Sequence, residues 1–153
     1  MLRIRIICVG RLKERFYTDA ANEYVKRLAG YCKPEIVEVP ECRLSGRAAL
    51  EKEGAAIRAK VPAGARTIAL CIEGAELDSP GLSGLLAGCA GEGASRLCFI
   101  IGGSHGLHGS IKTGADIRLS MSKMTFPHNL ARVMLLEQLY RAFKIAEGGK
   151  YHK

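Results

Sequence analysis

The sequence predicts a single α/β domain built on a mainly parallel sheet flanked by helices. Three observations carry that reading. Short apolar runs alternate with segments of helical period along the whole chain, and parallel strands are what helical crossovers join. The chain has 153 residues, enough for one core and too few for two. Hydrophobic residues make up 48% of it. A chain of this size buries roughly 68% of its unfolded surface, so it needs neither disulfides nor a structural metal to fold.

The first strand is Leu2-Arg-Ile-Arg-Ile-Ile-Cys-Val9, which alternates, turns apolar and closes on Gly10. From about Thr18, the spacing of Ala20, Ala21, Tyr24, Val25 and Leu28 predicts an amphipathic helix ending near Gly30. A short strand follows at Pro34–Val39, and residues 47–60, rich in Ala, Glu, Lys and Arg, read as a second helix. Thr67–Ile72 is the next strand, Ser79 to about Cys89 a glycine-weakened helix, and Arg96–Ile101 the most apolar strand. A glycine loop over 102–109 leads to a helical turn near 110–114, a strand around Ile117–Met121, and a loop to His128. One long helix then runs to about Glu147. Its apolar residues Leu130, Val133, Met134, Leu135, Leu136, Leu139, Tyr140, Phe143 and Ile145 cover more than one stripe. Such a helix is expected to be covered on two sides, the second by another subunit, which predicts a homodimer.

Composition narrows the function classes. One residue in four is charged and mean hydropathy is +0.05, which excludes a disordered chain. No apolar run approaches the roughly 20 residues of a membrane span, and the first residues lack a signal-peptide core. A soluble, cytoplasmic protein without a membrane partner is expected. The six cysteines form no CxxC pair, so reduced, structural thiols are expected rather than a zinc or redox motif. The formal charge of +8 is uneven. Residues 1–33 carry 8 basic and 3 acidic side chains, residues 34–109 carry 7 and 9, and residues 110–153 carry 8 and 3. Two basic ends around an acidic middle suit a polyanion such as nucleic acid, with plain solubility as the competing reading.

Three constellations can carry chemistry. Ile100-Ile-Gly-Gly-Ser-His-Gly-Leu-His-Gly109 places glycines at the carboxyl edge of a buried strand, where α/β proteins bind ligands. It matches neither GxGxxG nor a P-loop, and it reads equally as a tight turn. His105 and His108 are not on one helical face, so no metal site is expected. Leu119-Ser-Met-Ser-Lys-Met-Thr-Phe-Pro-His128 mixes apolar and small polar residues before a helix. It suits a flat ring beside Met121, Met124 and Phe126, or plain core packing. The tail Gly148-Gly-Lys-Tyr-His-Lys153 offers a stacking ring, an imidazole and a cation on what is otherwise a frayed end.

Ile101-Gly-Gly-Ser104, Gly106-Leu107, Leu119 through His128, Arg132-Val-Met-Leu-Leu-Glu-Gln-Leu-Tyr-Arg-Ala-Phe-Lys-Ile145 and Tyr151-His-Lys153 together closely resemble one family. It is the ribosomal large subunit pseudouridine methyltransferase family, a minimal member of the knotted SPOUT class. Ile7-Cys-Val-Gly-Arg-Leu-Lys-Glu14 and Leu70-Cys-Ile-Glu-Gly74 extend the resemblance over essentially the whole chain. It implies a homodimer with a C-terminal trefoil knot, and S-adenosylmethionine-dependent methylation of N3 of a pseudouridine in 23S rRNA of the assembled ribosome. Cofactor contacts carried over by position fall on Leu70, Gly102, Met121, Ser122, Lys123, Met124, Thr125 and Phe126.

The reaction asks for juxtaposition of two reactants, exclusion of water and removal of the N3 proton. His128, Tyr151 and His152 are the catalytic candidates, His128 also reading as a residue of the helix start. Arg132, Arg141 and Lys153 are candidate RNA contacts, though Arg141 stands at i, i+4 from Glu137 and suits a structural pair. A knotted methyltransferase acting on tRNA and a ribosome-binding module without turnover are the competing readings.

Overall fold

The computed structural model describes all residues, 1–153. Its elements in chain order are β1 (Arg3–Val9), α1 (Arg15–Leu28), β2 (Lys33–Val39), α2 (Gly46–Lys60) and β3 (Arg66–Glu76). Then follow α3 (Ser79–Gly91), β4 (Arg96–Ile101), α4 (Gly109–Gly114), β5 (Ile117–Ser120) and α5 (His128–Ala146). The five strands form one sheet in the order β2-β1-β4-β3-β5, every pair parallel. The predicted architecture is the one found. Helix α1 starts at Arg15 rather than near Thr18, since Glu14 supplies an extended cap one turn earlier.

Side-chain alternation along the strands divides the core in two. Ile4, Ile6 and Cys8 of β1 and Leu97, Phe99 and Ile101 of β4 face one side, with α1, α3 and α5. Ile7, Val9, Cys98 and Ile100 face the other, with Ile57 of α2 and Ile111 of α4. A parallel sheet buried on both faces needs such near-continuous apolar strands. The thiols of Cys8 and Cys98 act as hydrophobes there, and burial pushes both up to about 12. All six cysteines are free.

Helix α5 lies between α1 and α3. Leu135, Leu136, Leu139 and Ala142 are buried beneath it, each leucine contributing about 1.5–3 kcal/mol by leaving water. Ser83 Oγ of α3 donates to the Ala142 carbonyl at 2.7 Å, fixing the helix pair. The width of the apolar surface of α5 is therefore answered in good part within the chain, by helices on both flanks. An apolar rim remains exposed at Ile72, Leu77 and Met124. No helix is long and apolar enough to cross a membrane.

Strand β3 runs past the predicted end at Ile72. It pairs with β5 at Leu70–Leu119, leaves the ladder, and rejoins at Ala75–Leu119. Gly74 makes the return possible, because a Cβ there would lie 2.6 Å from the Leu119 nitrogen. The four residues thrown outward, Cys71–Gly74, raise a wall at the carboxyl edge of the sheet.

Candidate active site

Two cavities open at that carboxyl edge. The first, about 610 Å³, is floored by Leu70, Cys71 and Ile72 of β3 and by Ile101 and the glycine loop after β4. Its roof is the segment Met121, Ser122, Met124, Thr125, Phe126 and Pro127, closed by His128 and Ala131 at the start of α5. The loop is shaped by glycine. Gly106 has φ +78° and donates its N–H to the Gly103 carbonyl at 3.0 Å. A Cβ on Gly102 would overlap the Gly106 carbonyl, and one on Gly103 would come 3.0 Å from Val9 Cγ1. Only glycine lets the loop fold back on itself and pack this closely against β1.

The roof is held by local hydroxyl bonds. Ser120 Oγ, buried, donates to the Ser122 carbonyl at 3.0 Å, and Ser122 Oγ accepts the Met124 N–H at 3.0 Å. Of the eight positions expected to touch the cofactor, Leu70, Gly102, Met121, Ser122, Met124, Thr125 and Phe126 line this cavity. Lys123 is exposed and does not line it. Gly103, Ser104, Gly106 and Pro127 line it from within the two constellations, whereas Cys71 and Ile72 on the outward wall of β3 and Ala131 on α5 are lining residues that sequence reasoning missed.

The second cavity, about 750 Å³, is polar. It is lined by Gly10, Arg11, Lys13 and Glu14 after β1, by Glu38 to Arg43 at the end of β2 and beyond it, and by His128 and Asn129 of α5. Arg11, Lys13 and Arg43 are exposed and form no ion pair. Buried Glu53 of α2 accepts the Cys42 N–H at 2.9 Å and so pins the wall after β2. His128 lines both cavities. It stands where a glycine-edged apolar chamber meets a polar cleft whose lining mixes Arg11, Lys13 and Arg43 with Glu14, Glu38 and Glu41.

Arg132 is a correction. Expected at the RNA surface, its side chain is 3% exposed. It bonds Glu38 Oε2 at 2.7 Å and the Gly10 carbonyl at 3.0 Å. Glu38 Oε2 also accepts the Leu12 N–H at 3.3 Å. The guanidinium therefore ties α5 to the ends of β1 and β2 and fixes the floor of the cleft, with no donor face left for a phosphate. Arg141 also takes the structural role weighed against RNA contact. It is paired with Glu137, donating from Nε at 2.9 Å, and lies 4.8 Å over the Tyr151 ring.

The tail packs against helix α5 of its own chain. Tyr151 donates to Glu137 Oε1 at 3.2 Å and packs edge-on against Tyr140. Burial, with the Glu137 carboxylate beside it, pushes its phenol up to about 12. His152 Nδ1 lies 3.1 Å from Arg141, and Lys153 is exposed. None of the three lines either cavity of its own chain. Glu137 is nine residues beyond His128, about 13 Å along the helix axis. Within one chain, then, Tyr151 and His152 are not brought to His128.

His108 Nδ1 caps α4 by accepting the Ser110 N–H at 3.1 Å, while His105 sits exposed on the turn. No three His, Cys, Asp or Glu side chains converge as a metal site. The Arg132 clamp predicts that Arg132→Met lowers unfolding free energy by about 2–3 kcal/mol, read from urea midpoints, because Glu38 and the Gly10 carbonyl lose their partner. An unchanged midpoint would contradict the clamp.

Comparison with known proteins fits this geometry. The family model described as "Predicted SPOUT methyltransferase" matches residues 2–152. A protein of Clostridium perfringens (strain SM101 / Type A) named "Ribosomal RNA large subunit methyltransferase H 1" is 43% identical, the match covering 99% of this chain and all of that one. A "Ribosomal RNA large subunit methyltransferase H" of Clostridium botulinum (strain Langeland / NCTC 10281 / Type F) is 45% identical over the same shares. Among solved structures, a probable methylase family protein from Haemophilus influenzae Rd KW20 superposes with TM-score 0.60 at 12% identity, over 100% of this chain and 72% of that one. A probable methyltransferase from Bordetella pertussis Tohama I gives 0.59 at 15% identity, over 92% and 96%. These two share the fold. Matched along nearly its whole length, the chain belongs to the SPOUT methyltransferases and is an S-adenosylmethionine-dependent methyltransferase.

Proposed function

We propose that this enzyme methylates N3 of a pseudouridine in 23S rRNA of the assembled ribosome, in the cytoplasm, as a homodimer with a C-terminal trefoil knot. The observation that carries the reading is the wall at His128. An apolar, glycine-edged chamber adjoins a polar cleft in which Arg11, Lys13 and Arg43, in no ion pair, stand among Glu14, Glu38 and Glu41, and His128 lines both. The chamber suits the cofactor on its own evidence, since the Gly102 backbone stands where any Cβ would be excluded and Met121 and Phe126 offer apolar faces for a purine. Bound there, S-adenosylmethionine supplies an electrophilic methyl group. The names of the Clostridium relatives point to large-subunit rRNA as the acceptor.

The chain's own residues divide the remaining work. Arg11, Lys13 and Arg43 hold phosphates at the cleft. Pro127 and the first turn of α5 set the His128 ring on the wall, where it accepts or steers the N3 proton as the nitrogen attacks. Phe126 and Ala131 keep water from the chamber. Tyr151 and His152 act from the partner subunit. The support is that they lie on the chain's own α5, away from its cavities, while Ile72, Leu77 and Met124 leave an apolar rim beside a groove of about 300 Å³ lined by Leu119, Met134 and Leu135. Close passage of Gly74 against Arg118 and Leu119 is what supports the knot in this reading.

Two experiments test it. With labelled methyl donor, ribosomes should accept methyl groups into 23S rRNA, and free rRNA and tRNA should be poor acceptors; transfer to tRNA alone would overturn the substrate. For the dimer, a chain lacking residues 150–153 is mixed with a Gly102→Ala chain, each expected to be inactive alone. Activity should return on mixing, because one composite site is intact. A mixture that forms heterodimers and stays inactive would contradict the tail's action across the interface.

A further inference from the structure

The N-terminal positive charge does not form one surface. Arg11 and Lys13 follow β1 and reach the cleft, whereas Arg3 and Arg5 lie at the opposite, amino-terminal edge of the sheet. There the strand register sets Arg3 beside Lys33 of β2 on one flank and beside Arg96 of β4 on the other. Neighbouring strands are about 4.8 Å apart, and residues in register project to the same face. Lys33, Arg3 and Arg96 thus form a row of three like charges, all exposed.

Like charges side by side on a sheet repel, and nothing in the chain relieves this row. None of the three is in an ion pair. Arg96 spends one N–H on the Ala63 carbonyl at 3.3 Å. Glu35 of β2, in register with Arg5, is taken by Arg5 through two bonds of 3.0 and 2.8 Å. Arg5 gives a further N–H to the Lys60 carbonyl at 2.7 Å, closing the back of a concavity of about 220 Å³ lined by Arg3, Arg5, Pro62, Arg96 and Leu97.

We propose that this amino-terminal edge is a second rRNA-binding surface, one that holds phosphates of the ribosomal RNA at a distance from the methylated nucleotide. It rests on the proposed rRNA substrate. Planar guanidinium forks on a rigid sheet edge suit phosphate oxygens, and three of the five residues lining the concavity are arginines. β4 spans about 17 Å from Arg96 to Ile101, roughly two screening lengths at physiological salt. The row therefore cannot act on the cleft through its field and must touch other phosphates. It anchors the enzyme on the ribosome while the cleft takes the target nucleotide.

The test compares unaltered protein, Arg3→Gln/Lys33→Gln, and Lys26→Gln/Lys52→Gln, a control with the same charge loss at exposed helix positions. Affinity for ribosomes and for protein-free 23S rRNA is measured over a salt series, with KM, kcat and cofactor affinity. The edge variant should bind both RNAs roughly tenfold more weakly near physiological salt. Its slope of log affinity against log salt should be shallower by about 1.5–2, as two phosphate contacts are lost. KM for ribosomes should rise in step, while kcat and cofactor affinity hold and the control matches unaltered protein. An edge variant equal to the control would overturn the proposal, as would weakening on ribosomes with none on protein-free rRNA, which would mean a ribosomal protein contact. If unaltered protein shows no salt-dependent binding to ribosomes, the substrate reading falls and this surface with it.

Discussion

The buried guanidinium of Arg132 is the contact on which the arrangement of the site depends. It reaches from the first turns of α5 to the Gly10 carbonyl at the end of β1 and to Glu38 near the end of β2. Those two strand ends and that helix start are the three segments that line the polar cleft. Without the clamp, each would end in a loop with its own freedom. With it, the carboxyl edge of the sheet becomes a rigid frame and His128, one helical turn before Arg132, has a single place to stand. Reaction by positioning needs this rigidity, because small displacements of either reactant cost rate steeply.

The frame also explains why the site needs few polar groups of its own. One chamber is shaped by absent side chains at Gly102 and Gly103 and by the outward wall of β3. The other holds cations that make no internal pairs and remain available. The two differ in polarity, which suits an apolar-faced cofactor in one and a polar substrate in the other. In the C-terminal third, Lys112, Arg132, Arg141 and Lys144 are all in ion pairs. The net +5 of that segment therefore overstates what it offers to RNA.

Much of this was legible in the sequence because local signals agreed with the fold. Strands with both faces apolar require covering helices on each side, and the glycine loop after β4 marks the ligand edge of an α/β sheet. The resemblance placed the cofactor run on the roof. What failed to read was long-range. Arg132 and Glu38 are 94 residues apart in sequence, and charge alone suggested exposure. A signal was present, since 132, 135, 136 and 139 share one helical stripe with three buried leucines. The cleft draws on three distant segments with no common motif, and its Arg11, Lys13 and Arg43 look like ordinary surface cations. The tail reads as functional by resemblance, and only the structure shows that in its own chain it packs on α5 away from His128.

The central claim is that His128 is the junction where two separately bound reactants meet. The direct measurement is on His128→Asn, which keeps a helix-start residue: cofactor affinity, ribosome affinity and single-turnover methyl transfer on the same preparation. Transfer should fall on the order of 100-fold, with both affinities within about twofold of unaltered protein. Transfer at the unaltered rate would contradict the account, as would a loss explained wholly by weaker binding of one ligand.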